Sequence, residues 1–323
     1  MAFWNVITRW IGKLDKIQVE PFLAVSNGQE LFVKGRVISA YKQSRPRAKN
    51  NPLKNILATI RRYSVSSIPG VWVEVKVGEK IERVRTDDEG VFECFLPFHE
   101  ERTVMMSVQP EDPDWNCDDS EMEIQKIEKK LGLISDIDDT ILISHATAIG
   151  KKFWLSVSKN AYTRRPFPGV SEFYQKMVRE KGYEMFYVSS SDWSLFDLIR
   201  DFLQFRNIPL GPILLKDKHI NLKNIWKSGG GSHQHKLEKI HFLLRFFPEM
   251  KFILIGDSGQ HDPEIYAEIC HEYPQRVMAV FIREIHPKHS ESPERREMEE
   301  ELDFHFIQST QEAISLAEKL QII

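Results

Sequence analysis

Residues 131–140 read LGLISDIDDT. A short apolar run of strand character passes into Asp136, Ile137, Asp138, Asp139 and Thr140, so three carboxylates crowd the place where a strand would end. From here onward, apolar strand candidates alternate with amphipathic stretches. Strands are expected near 132–136, 184–189, 212–215, 251–256 and 277–282, and helices near 169–180, 192–206, 233–247, 262–273 and 309–320. This alternation predicts an α/β domain with a parallel sheet and helices on both faces. In such a sheet, chemistry gathers beyond the carboxyl ends of the strands, where chain order reverses.

The other informative residues fall at the same ends. The second strand runs into Ser189, Ser190 and Ser191, whose hydroxyls and backbone amides suit phosphate oxygens. The fourth runs into Gly256, Asp257 and, five residues on, Asp262, with Gly256 and Gly259 permitting a tight bend. A helix begins near His235 and Lys236, and its lysine suits an anionic intermediate; Lys216, at the end of the third strand, is the alternative. Crowded carboxylates repel one another, and a hard divalent cation such as Mg²⁺ relieves that repulsion.

These parts fit phosphoryl transfer, which asks mainly for positioning and charge neutralisation. Asp136 is expected to attack phosphorus and form an aspartyl phosphate. Asp138 is expected to protonate the leaving alcohol and then activate water. Asp136 and Asp257 would hold Mg²⁺ through side chains and Asp138 through its carbonyl, with Asp262 orienting the metal's waters. Thr140, Ser189 and Ser190 are the candidate phosphate binders. His233, His235 and His261 lie near in sequence, but no thiolate accompanies them in a zinc-like pattern. Arg283, after the fifth strand, is a candidate support for the loop bearing Asp257 or a substrate contact.

SDIDDT, the serine at the next strand end, the helix-start lysine and GDSGQHD, in that order, resemble the four motifs of the haloacid dehalogenase superfamily. More narrowly, YVSSSDW, HKLEKIHFLLRFFPEMKFILIGDSGQHDPEIYAEI and FIREIH resemble the actin-patch type of phosphatidate phosphatase over about residues 131–285. Trp193 departs from that family's pattern after the serines. The resemblance implies a Rossmann-like sheet of order 5-4-1-2-3, and Mg²⁺-dependent removal of phosphate from phosphatidate. The intervals from Thr140 to Ser189 and from Ser189 to Lys236 are largely taken up by helices and a strand. That predicts a minimal cap and an open site suited to a large or interfacial substrate.

The first half has a different rhythm. LFVKGRVISAY, VWVEVKV, IERVRTDDEGVFECFLP and ERTVMMSVQ alternate apolar and polar residues, with Asp87 to Gly90 as a turn between two strands. A β-sandwich-like domain is expected over 21–125, resembling the one that precedes the catalytic part in the same family. The acidic stretch Glu111–Asp119 marks the approach to a boundary, and the phosphatase domain is expected over 130–323. NPLKNILATIRRY, with Leu53, Ile56, Leu57 and Ile60, has helical spacing. So have Phe3, Ile7, Trp10, Leu14 and Ile17, which predict an amphipathic helix over 1–20; a peripheral contact with the membrane surface and docking on the protein's own core or a partner are the alternatives for its apolar face.

Composition bounds the rest. Hydrophobic residues make up 41% and charged residues 28%, as in globular domains. The net charge of -3 argues against nucleic acid as a partner. The charge is segregated. No acidic residue stands between Glu30 and Glu74, whereas Lys34, Arg36, Lys42, Arg45, Arg47, Lys49, Lys54, Arg61 and Arg62 do, and this basic stretch suits anionic headgroups. An acidic run occupies Glu297–Asp303. Three widely spaced cysteines fit reduced thiols. No apolar run reaches membrane-spanning length, and the cytoplasm is the expected compartment. The sequence therefore predicts a phosphoric monoester hydrolase acting on phosphatidate. A phosphatase of the same chemistry on a soluble or protein phosphomonoester, and a catalytically weak membrane-binding scaffold, stand as alternatives.

Overall fold

The structure is a computed structural model and describes residues 17–39, 67–98, 100–110, 115–143, 165–217, 234–285 and 293–323. The chain divides into two compact units, one ending at Glu128 and the other beginning at Lys129. Most of the expected N-terminal helix, the basic stretch beyond Ser39, the helical spacing at 53–60 and His233 lie outside the described residues. So does residues 144–164, where much of any cap would fall.

The first unit contains two sheets. One has the order β5-β2-β1-β7, with β9 also pairing β1; these strands are β1 (Ile17–Ser26), β2 (Glu30–Ser39), β5 (Val91–Pro97), β7 (Cys117–Asp118) and β9 (Gln125–Lys126). The other has the order β4-β3-β6-β8, from β3 (Trp72–Val77), β4 (Lys80–Arg85), β6 (Thr103–Gln109) and β8 (Ser120–Glu123). Strand alternation directs Val71, Val73, Val75 and Val77 to one face, and they join Leu31, Val33, Phe92, Leu96, Val104 and Met106 in a core shared by both sheets. Ile17 opens β1 and is wholly buried. It therefore belongs to a strand, and the helical spacing expected to run through residue 20 stops before it. Pro21 offers no N–H to the ladder, and the register shifts between Pro21 and Leu23 to accommodate it.

Asp87 to Gly90 do form a turn. Asp87 Oδ1 accepts the amides of Glu89 and Val91, at 2.8 and 2.9 Å, and Gly90 takes a φ of 73°. The strands it joins lie in different sheets, because β4 pairs with β3 and β5 with β2. The acidic stretch expected to approach the boundary lies in the first unit and contributes β7 to it.

The second unit holds one parallel sheet of six strands in the order β12-β11-β10-β13-β14-β15. These are β10 (Leu131–Ser135), β11 (Glu184–Asp192), β12 (Ile213–Lys216), β13 (Lys251–Asp257), β14 (Val277–Arg283) and β15 (Phe304–Ile307). The first five follow the expected order 5-4-1-2-3, and β15 extends the sheet beyond it. Leu133, Ile134, Phe186, Tyr187, Phe252, Ile253, Val280 and Phe281 are buried without alternation, as central parallel strands require.

Among the described residues the α-helices are, in chain order, α1 (Val170–Gln175), α2 (Phe196–Phe205), α3 (Gln234–Phe246), α4 (Asp262–Glu272), α5 (Pro293–Glu301) and α6 (Thr310–Lys319). Residues Lys176–Glu180 continue α1 as a π turn, so the helix expected over 169–180 is not one uniform element. Helices α3 and α4 pack on each other, α3 also against β11 and α4 against β13 and β14. Helix α1 packs with α6, and its Phe173 meets Phe281 of β14 edge-on at 6.2 Å. The acidic run is part of α5, where Arg295 pairs with Glu284 and Glu299.

Candidate active site

Chain order reverses beside β10. Strands β11 and β12 lie to one side of it, and β13, β14 and β15 to the other. The ends of β10, β11 and β13 therefore converge. Asp136 follows β10, and its amide donates to the carbonyl of Ile255 at 2.9 Å, which fixes it against β13. Asp139 takes a φ of 60° and donates its amide to Leu142 at 2.9 Å, turning the chain sharply after Asp138.

Three carboxylates, Asp136, Asp257 and Asp262, are buried, each offering an oxygen within 4.8 Å of the others. The ammonium of Lys236, in the first turn of α3, lies 2.8 Å from Asp136 Oδ1 and 2.6 Å from Asp262 Oδ1. One ammonium cannot balance three buried carboxylates. Burial pushes the Asp136 carboxyl well above its usual range; Lys236 opposes this, while Asp262, Asp257 and Asp138 add to it. Burial, then Asp262, push Asp257 up to about 7, against Lys236 and the Gly259 amide. Burial alone would lower Lys236, but Asp136 and Asp262 hold its ammonium above the usual lysine range. Asp136 Oδ1 also lacks an aligned hydrogen bond despite its buried position. Hard oxygens with surplus negative charge and an incompletely satisfied carboxylate fit a divalent cation such as Mg²⁺.

The remaining contacts order the cluster. Thr140, expected to bind phosphate, is buried and donates its hydroxyl to Asp136 Oδ2 at 3.2 Å. Asp138 Oδ2 accepts Ser191 Oγ at 3.0 Å and Ser189 Oγ at 3.3 Å. Ser189 Oγ in turn accepts the amide of Ser191 at 3.0 Å. Ser190 makes none of these bonds. Asp257 accepts the Gly259 amide at 2.7 Å, and Asp262 Oδ2 accepts the Asp257 amide at 3.2 Å. The N-cap of α4 is His261; Asp262 is its first helical residue, with its carboxylate turned toward Asp257 and Lys236.

One contributor, Gln260, was not among the sequence candidates, and among the three serines that were, the pair engaged differs from Ser189 and Ser190. Ser191, not Ser190, is the second hydroxyl on Asp138. Gln260 Nε2 donates both to the carbonyl of Asp138 at 3.2 Å and to Asp257 Oδ2 at 3.1 Å, a link no spacing rule reveals. Lys216 is half-buried, and the ammonium paired with Asp136 and Asp262 is that of Lys236. Burial, with Lys216, Lys236 and Lys239 nearby, pushes His235 down to about 4. Among the described residues the metal-capable cluster contains no histidine. Arg283 is buried over the Phe167 ring at 4.2 Å and donates to the Thr140 carbonyl at 3.3 Å and to Thr310 Oγ1 at 2.9 Å. It supports the Thr140 turn.

The match to a known family falls on this unit. Residues 131–284 match the family model described as the catalytic domain of phosphatidate phosphatase APP1. A Saccharomyces cerevisiae protein named phosphatidate phosphatase APP1 is 34% identical over 153 residues, 47% of this chain and 26% of the relative. An uncharacterised Schizosaccharomyces pombe protein is 28% identical over 156 residues, 48% of this chain and 25% of the relative. The chain thus spans about a quarter of the length of these relatives. Among solved structures, a carbohydrate acetylesterase from Xanthomonas citri aligns over 82% of this chain and 68% of its own, with a TM-score of 0.27 and 12% identity. That degree of overlap bears on neither fold nor chemistry.

Proposed function

We propose, from the similarity of residues 131–284 to the catalytic domain of phosphatidate phosphatase APP1, that this chain hydrolyses the phosphomonoester of a phosphatidate-type lipid with Mg²⁺, through an aspartyl phosphate on Asp136. The carrying observation is the convergence of Asp136, Asp257, Asp262 and Lys236 in one buried cluster beside Asp138. The strand order supports a haloacid dehalogenase-type sheet over 130–323. The core shared by two sheets supports a sandwich-like domain before it.

Asp136, Asp257 and the Asp138 carbonyl are the residues to hold Mg²⁺, with Asp262 behind them; the ion supplies charge neutralisation between carboxylate and phosphate. Thr140 and Lys236 orient Asp136 for in-line attack on phosphorus. As the Asp136–phosphorus bond forms, the bond from phosphorus to the lipid oxygen breaks, and Asp138 gives that oxygen its proton. Asp138 then takes a proton from water as the water oxygen attacks phosphorus. Inorganic phosphate leaves, and the Asp136 carboxylate is restored. Lys236 balances the charge of the phosphorylated state. Ser189 and Ser191 hold Asp138 toward the reacting oxygen, and Ser189 is also placed to meet phosphate.

The test is a panel of phosphatidate, other phosphorylated lipids and soluble phosphomonoesters, each with Mg²⁺ and with chelator. Phosphatidate should be preferred and chelator should abolish turnover. Asp136→Asn should fold normally and lose at least about 1,000-fold in rate, the scale expected when a covalent nucleophile is removed. Turnover by that variant at the native rate would remove Asp136 as nucleophile. Faster turnover of a soluble ester would change the substrate but leave the chemistry.

A further inference from the structure

We propose that Asp217 is a positioning residue that joins the serine stretch at the end of β11 to the helix carrying Lys236, an inference that rests on the phosphatase reading above. Asp217 directly follows β12. Its Oδ1 accepts the indole N–H of Trp193 at 2.7 Å, and its Oδ2 accepts the ammonium of Lys239 at 2.5 Å. Trp193 stands two residues beyond Ser191, is 5% exposed and stacks on Phe196 at 6.1 Å. Lys239 stands three residues beyond Lys236 on α3, nearly one helical turn. Each donor to Asp217 is therefore a short rigid step from a residue of the site.

The backbone explains why such a tie is needed. Strand β12 is the edge of the sheet on this side. Its ladder with β11 pairs Val188 with Leu214 and resumes only at Asp192 with Lys216. Ser189, Ser190 and Ser191 fall inside that interruption, where strand pairing does not set their height. Asp217 bridges the gap from the far end of β12. It holds the serine stretch through Trp193 and sets the same anchor for α3 through Lys239. This also gives a structural reason for a tryptophan after the serines. The ion pair is partly exposed, with Asp217 33% and Lys239 17% accessible, so its weight in overall stability is small and its effect is expected in geometry.

The full chain with Mg²⁺ is assayed on phosphatidate in mixed micelles and on a soluble aryl phosphate. Asp217→Ala should lower kcat about tenfold on both with KM changed less than about twofold, the pattern of misplaced reacting groups. Asp217→Asn keeps an acceptor for the indole but loses the ion pair, and should fall between. In a Ser191→Ala background, Asp217→Ala should add clearly less than its full tenfold, because the part that acts through the serines and Asp138 is already lost. Hydrogen exchange reads the tie without turnover: segments 189–195 and 234–240 should lose protection together in Asp217→Ala. Native kcat in Asp217→Asn, effects that multiply in the double variant, or unchanged exchange in either segment would overturn the proposal. A native chain that hydrolyses no phosphomonoester would instead overturn the phosphatase reading.

Discussion

A Cβ placed on Gly256 would lie 2.5 Å from Asp262 Oδ2 and 2.8 Å from the Tyr266 ring. The backbone must pass that closely because Asp257, one residue later, faces the same cluster. Gly256→Ala should therefore displace Asp262, cost about 1–3 kcal/mol of stability by overpacking, and depress activity well beyond that loss. A Tm and a rate at native levels would show that the neighbours can yield. The carboxylates make a second prediction at this scale. Asp136 and Asp257 bind protons more tightly folded than unfolded. Their contribution to stability is thus complete below the unfolded carboxylate range and is lost as pH rises through the folded value, about 7 for Asp257. In chelator, Tm should fall from about pH 5 to about pH 8, and Mg²⁺ should restore it most at the upper end. A flat profile in chelator, unaffected by Mg²⁺, would contradict the charge imbalance.

Single strand ends supply the acids, but neighbouring elements aim them. Arg283, at the end of β14, spans Thr140 and Thr310 while lying over Phe167, so it links three separate stretches of chain. A lysine has one compact ammonium and cannot reproduce a planar, forked donor stacked on a ring. Arg283→Lys should cost about 2 kcal/mol and lower kcat by loosening the turn that carries Thr140. Thermal unfolding and steady-state kinetics on the same variant check both parts. The serine stretch belongs to the same scale. Ser189 and Ser191 alternate along the chain, so both reach Asp138, while Ser190 between them points elsewhere. Periodicity was enough to place a strand there. It could not foretell the interruption of the ladder with β12 between Val188 and Asp192.

Across the whole molecule, the two units have separate cores. No helix of the described residues is long and apolar enough to cross a membrane. Residues 1–16 retain the spacing of Phe3, Ile7, Trp10 and Leu14, and strand β1 begins only at Ile17. Removing 1–16 should lower turnover on phosphatidate vesicles several-fold more than turnover on a soluble aryl phosphate. Equal loss on both substrates would take this segment out of lipid engagement.

The order of strands and helices in the second unit was legible in sequence because hydrophobic periodicity is local and each chemical residue sits at an element's end. Asp136, Asp138, Ser189, Asp257 and Asp262 could be placed in that way. Lys236 was separable from Lys216 in sequence only by the motif order it matched. Tertiary structure decided what depends on distance through space: the ammonium shared by Asp136 and Asp262, Gln260 between Asp138 and Asp257, and the Asp217 tie. Those contacts join residues up to 122 positions apart. Chain spacing carries no information about them, because they exist only once parallel strands bring their carboxyl ends to one edge.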